Sequence, residues 1–161
     1  MSAAAHSRPD GFTGTAIVTD STPYLPASLI EGRQIQQVSL YVGWDGDLRR
    51  ESDLVDLDAF YARLHGSASL PTTSQPSAGD FLACYEPLVR AGRDVLSIHL
   101  AGGLSGTCES AREAARLAAE TGHAGRVEVL DSQTGAGGLG CLVLLAADLA
   151  ARGASVEEII A

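Results

Sequence analysis

Two runs of neutral hydroxyls carry the residue types best suited to chemistry in this sequence. The first is Thr72-Thr73-Ser74-Gln75-Pro76-Ser77; the second, roughly thirty residues later, is Gly102-Gly103-Leu104-Ser105-Gly106-Thr107. A glycine-rich turn that feeds a helix presents unpaired N–H groups and the positive end of the helix dipole, a setting in which a carboxylate or phosphate is comfortable. Hydroxyl donors can hold such an anion and leave it reactive, whereas a bidentate arginine would sequester it. The plainer reading is that Ser105 caps a helix, that the glycines only turn the chain and that the Thr72–Ser77 run is a linker. On the residues alone both readings stand.

Other chemistries are poorly provided for. All eleven basic side chains are arginine, so a Schiff base, a lysine general base and the lysine of a P-loop are absent. Cys84, Cys108 and Cys141 are odd in number and form no C-x-x-C pair, which predicts neither a disulfide framework nor a zinc site and fits a reduced cytoplasm. Of the histidines, His6, His65 and His123 lie away from any strand, and His99, inside one, reads as a satisfied structural residue. Asp20 and Asp131 each end a strand and read first as caps of the following turn. Ser105 is followed directly by Gly106, so the loop is not a nucleophile elbow, and "GAGGLG" lacks dinucleotide-binding spacing. The templates for a catalytic residue and for a metal pair fail, whereas Asp20 and Asp131 could still hold a metal or a ligand hydroxyl; no cofactor is expected.

A net charge of −9 in 161 residues argues against nucleic acid or an anionic membrane as partner, because both require clustered cations. The opening "MSAAAHSRPDGF" has no apolar core of signal-peptide length, and "LVLLAADLAA" is too short to span a membrane.

Strand-like apolar runs alternate with helix-period segments from Thr15 onward, which predicts an α/β fold: an open, mostly parallel sheet with helices on both faces. Strands are expected over Thr15–Asp20, Gln34–Val42, Asp94–Leu100 and Arg126–Asp131, with a hairpin turn at Asp45-Gly46. Helices are expected over Asp56–Gly66, after Ser77 with Asp80 completing a capping box, from near Ser105, and from Leu139; Pro87 predicts a kink or an early end. Ser155 and Glu158 predict one more helix start. The hydroxyl-rich loops after Asp20, Leu100 and Asp131 then all emerge at the carboxyl edge of the sheet, where ligands usually sit. Residues 1–13 read as a disordered lead-in, 14–150 as one α/β lobe and 151–161 as the start of a further element.

With these motifs in order, "IVTDST", "FYARL" before "LPTTSQPSAGDF", "VLSIHLAGGLSGTCESA" and "VEVLDSQTGAGGLG", the sequence resembles the DegV family of bacterial fatty-acid-binding proteins. The resemblance implies a cytoplasmic protein with an N-terminal α/β lobe and a second lobe, largely missing from this chain, that closes over an apolar tunnel. It implies a long-chain fatty acid as ligand, held by its carboxylate and presented to a separate ATP-binding fatty acid kinase subunit, so that this chain is a carrier and not an enzyme. Matched by motif, Thr73 and Ser105 are the carboxylate-gripping residues, with Ser74, Gly106 and Thr107 in support. Where relatives often carry a serine pair this chain has Ala101 and Gly102, and where they often carry tyrosine it has Cys108, which removes two hydroxyls and an aromatic wall. The alternatives are a metal-dependent phosphotransferase or hydrolase, with Asp20 or Asp131 as metal ligand, and an inactive truncated lobe.

Overall fold

The structure, a computed structural model, describes residues 14–161; the lead-in read over 1–13 lies outside the described residues. Four strands form a parallel sheet in the order β2-β1-β6-β7, where β1 is Ala16–Asp20, β2 Gln36–Val38, β6 Val95–His99 and β7 Val127–Asp131. Register runs from Ala16 opposite Val95 to His99 opposite Asp131. The chain steps outward from β1 to β2 and returns to lay β6 on the other side of β1. This reversal makes the carboxyl ends of β1 and β6 a topological switch point, the usual ligand crevice of open α/β sheets.

Side-chain alternation along the strands builds two cores. Ala16, Val18 and Val95 face Phe81, Tyr85 and Val89 of α3 (Ala78–Arg90) and Ala111, Ala114 and Ala118 of α4 (Thr107–Glu120). Ile17, Leu96 and Ile98 face Leu139, Val143 and Ala147 of α5 (Ala136–Ala151), and Val156 of α6 (Val156–Ile160) is buried in the same cluster. Helices thus cover both faces, as the strand–helix alternation predicts. The capping boxes at Ser77/Asp80 and Ser155/Glu158 are both present. The short α1 (Ala27–Gly32) connects β1 to β2.

Three expectations are corrected. Gln34–Val42 is not one strand: Gln36–Val38 pairs with β1, and β3 (Tyr41–Trp44) belongs to a second, antiparallel sheet of order β4-β3-β5. The break falls at Ser39-Leu40, whose polar groups leave the ladder: Leu40 N–H donates to Ser21 Oγ, Glu51 N–H to the Leu40 carbonyl, and Ser52 N–H to Ser39 Oγ. The run Thr72–Ser74 is not a loop but β5, paired with β3 through Thr73 opposite Val42. Finally, of the kink or early end predicted at Pro87 the early end does not occur: α3 continues to Arg90, because Phe81, Tyr85 and Val89 bury one stripe of the helix and outweigh a single missing N–H. The hairpin turn is where it was expected: Asp45 and Gly46 both have positive φ and join β3 to β4 (Asp47–Arg50). The helix α2 (Leu57–Gly66) packs Phe60 edge-on against Trp44 of this second sheet.

Candidate functional site

The loops after β1, β6 and β7 meet at the carboxyl edge because their strands are neighbours. The loop after β6 is gripped at three successive amides. Leu100 N–H donates to Asp20 Oδ2 (3.0 Å), Ala101 N–H to the Thr134 carbonyl (2.8 Å) and Gly102 N–H to Asp131 Oδ2 (3.1 Å). From below, the buried Cys108 thiol donates to the Leu100 carbonyl at 3.5 Å. Cys108 therefore packs under the loop, where burial raises its pKa to about 11 and keeps it an inert thiol.

Asp20 is wholly buried. Its Oδ1 accepts from Thr22 N–H (2.9 Å) and the Thr22 hydroxyl (2.5 Å), and its Oδ2 also faces His99 Nδ1 at 3.1 Å. Burial alone would raise its pKa, but the bonds from His99, Thr22 and Leu100 prevail and hold it below the usual carboxylate value. Beneath it, His99 Nε2 lies 2.7 Å from Ser97 Oγ, which lies 2.7 Å from the Tyr85 hydroxyl. One assignment of protons satisfies every member: Tyr85 donates to Ser97, Ser97 to Nε2, and Nδ1–H to Asp20. His99 is accordingly a satisfied structural residue, as its place within a strand predicts. Phe81 seals the chain, its ring edge-on to His99 at 4.9 Å.

Asp131 repeats the arrangement nearer the surface. Its Oδ1 accepts from Gln133 N–H (2.9 Å) and its Oδ2 from Gly102, and these two bonds lower its pKa. Both carboxylates cap turns, and each accepts backbone amides on both oxygens. Among the described residues no group of three or more His, Cys, Asp or Glu is placed to hold a metal.

The five hydroxyl-loop residues divide by environment. Ser105 is half-buried just before α4; its Oγ accepts from Thr107 N–H (3.3 Å) and pairs with Thr107 Oγ1 at 2.9 Å. Gly106 is the N-cap, so α4 starts two residues later than the sequence predicts, and Thr107 is buried beneath it. Thr73 and Ser74 lie exposed on β5. The two groups approach through Gln75, which motif reasoning did not single out: a Cβ on Gly106 would lie 2.8 Å from Gln75 Nε2. A side chain at the N-cap would have to move that amide away from the start of α4. The signal was available, since Gln75 is the only polar side chain that is not a hydroxyl in its run. Leu104, at the tip of the loop, is 76% exposed, and α5 leaves Leu142 and Leu145 uncovered.

Residues 14–161 match the family model described as "Uncharacterised protein, DegV family". Protein DegV of Bacillus subtilis is 38% identical over 145 residues, which cover 89% of this chain and 50% of that protein. A DegV family protein from Thermus thermophilus, described by its fatty acid binding, superposes with a TM-score of 0.80 at 38% identity over 91% of this chain and 51% of its own. The Fatty Acid Kinase (Fak) B3 protein of Streptococcus pneumoniae, loaded with linoleic acid, shares the fold with a TM-score of 0.74 at 23% identity, over 91% of this chain and 52% of its own. The chain spans about half the length of the curated relatives it matches. On the family match over 14–161 together with the α/β architecture, this chain belongs to the DegV family.

Proposed function

We propose that this chain is the part of a fatty-acid carrier that grips the ligand's carboxylate, with Thr73 and Ser105 as the donors and Ser74, Gly106 and Thr107 supporting them. The single observation that supports the reading is the approach of the two hydroxyl runs through Gln75, which follows β5 and sits against Gly106 at the start of α4. The exposed Leu104, Leu142 and Leu145 supply apolar surface for an acyl chain. About fourteen methylenes at roughly 0.8 kcal/mol each give a gross burial term on the order of 10 kcal/mol, so the head group has to orient the ligand more than bind it.

The whole protein works in the cytoplasm as a carrier and is not itself an enzyme. A separate ATP-dependent fatty acid kinase subunit transfers the γ-phosphoryl group of ATP to a carboxylate oxygen, giving an acyl phosphate and ADP. Neutral donors suit that step because they leave the carboxylate nucleophilic. Among the described residues no helix is long and apolar enough to cross a membrane.

Native mass spectrometry of the full-length protein should find a bound long-chain fatty acid, and Ser105→Ala should weaken uptake of added oleate by about 1 to 3 kcal/mol. A protein that is isolated empty and takes up neither oleate nor palmitate would overturn the reading.

A further inference from the structure

Asp20 and Asp131 stand on the two strands that flank β6, and they do the same thing from opposite sides. Each uses Oδ1 to accept an amide of its own downstream turn, Thr22 N–H or Gln133 N–H, and Oδ2 to accept an amide of the loop after β6, Leu100 N–H or Gly102 N–H. We infer that the two carboxylates are a paired clamp that positions the Leu100–Thr107 segment for the ligand, with Asp20 and Asp131 as positioning residues that do not touch it. With the Leu100 and Gly102 amides committed to carboxylates and the Ala101 amide to the Thr134 carbonyl, this half of the loop has nothing left to offer an anion. Recognition is thereby displaced to the segment from Gly103 onward. Two negative charges beside a carboxylate ligand would repel it if they were free. Turned inward and bonded to amides, they set the shape of the loop instead.

Gly102 is the second half of the device. A Cβ there would lie 2.8 Å from Asp131 Oδ2, so a side chain at this position has to displace the carboxylate. The arms are unequal. Asp20 is backed by the buried His99–Ser97–Tyr85 chain, whereas Asp131 has only its two amides and the distant Arg112 charge.

The purpose of the clamp rests on the fatty-acid reading, but its geometry does not, so the test has two readouts on the full-length protein. The first is amide hydrogen exchange without ligand. Asp131→Ala should make Gly102 N–H exchange at least about threefold faster with Leu100 N–H unchanged. Gly102→Ala should give the same acceleration at residue 102, and the double variant no more than either alone, because both remove one bond. Asp131→Asn, with a single acceptor oxygen, should restore protection to Gly102 or to Gln133 but not to both. Asp20→Asn should likewise keep protection at Thr22 or at Leu100 but not at both; should it fail to fold, the Asp131 series decides alone. The second readout is oleate affinity, expected to fall about threefold to tenfold in Asp131→Ala at a denaturant concentration of zero, where the variant is folded. Equal exchange of Gly102 in wild type and Asp131→Ala, or fully additive effects in the double variant, overturns the clamp with the fatty-acid reading intact. Faster exchange with unchanged oleate affinity overturns the positioning role, and a wild type that takes up no oleate overturns the fatty-acid reading while exchange still reports the bonds.

Discussion

The two halves of the candidate site are built to opposite specifications. The half on the parallel sheet, Ser105 to Thr107, follows a loop whose amides are held by Asp20, Thr134 and Asp131, and Thr107 and Cys108 are buried under it. The half on the antiparallel sheet, Thr73 and Ser74, sits on β5, three exposed residues at the edge of the order β4-β3-β5 and paired on one side only. One half is pre-organised, so little order is lost there on binding; the other keeps the local freedom a ligand needs to enter. The buried chain Tyr85–Ser97–His99–Asp20 is what makes the first half stiff, and the second has nothing comparable among the described residues.

The largest expected effect breaks the stiff half. Phe81→Ala removes the wholly buried ring that packs on both His99 and Tyr85, and should cost about 3–5 kcal/mol by urea denaturation. A loss below about 1 kcal/mol would show that the site collapses and refills easily. Next is Trp44→Ala in the other sheet. Trp44 holds Phe60 edge-on at 5.4 Å, lies under the Arg63 guanidinium at 4.1 Å and donates from Nε1 to Ser69 Oγ at 3.0 Å. A loss of about 3 kcal/mol is expected. Its amide-exchange signature should be confined to β3 and β5 while Leu100 keeps its protection; loosening of both regions together would dissolve the distinction between them.

A smaller effect separates the halves by pH. Asp20 has a folded pKa below its unfolded value of about 3.9, so its ionised form contributes stability in full above that value. The contribution is lost as pH falls through the lower folded pKa, when the protonated carboxyl stops accepting from Leu100 and Thr22. Acid should therefore release the β6 loop before it releases β5. Leu100 exchange followed from pH 6 downward checks this, and β5 amides opening first would contradict it.

These contrasts also explain what could be read in advance. The parallel sheet was legible because apolar strands and helix-period segments alternate, and Ser97 and His99, two apart on a strand, were bound to share a face. That Tyr85 completes their chain depends on α3 packing onto β6, which no local pattern encodes. Likewise each aspartate was legible as a turn cap, but their convergence on one loop follows only from the order β1-β6-β7. β5 was missed because Thr-Thr-Ser has no hydrophobic alternation; it is a strand only because β3 lies beside it. The split of Gln34–Val42 was missed for the converse reason. The alternation of Val38, Leu40 and Val42 runs straight through the break, which is made by distant Ser21, Glu51 and Ser52.

The smallest change in stability makes the sharpest test of the comparison. Thr73 is exposed on an edge strand, and its side chain has no hydrogen-bond partner among the described residues. Thr73→Ala should leave the urea midpoint within about 0.5 kcal/mol of wild type, while oleate affinity falls by about 1 to 3 kcal/mol. Thr107→Val, nearly the same in shape, removes a buried hydroxyl that pairs with Ser105, so stability should fall by about 1 kcal/mol and affinity should fall with it. The pair of variants therefore tests whether binding is coupled to folding in the stiff half and not in the free one. If Thr73→Ala changed stability as much as Thr107→Val, β5 would be part of the scaffold; if it changed neither quantity, the first hydroxyl run would return to being a strand with no ligand to hold.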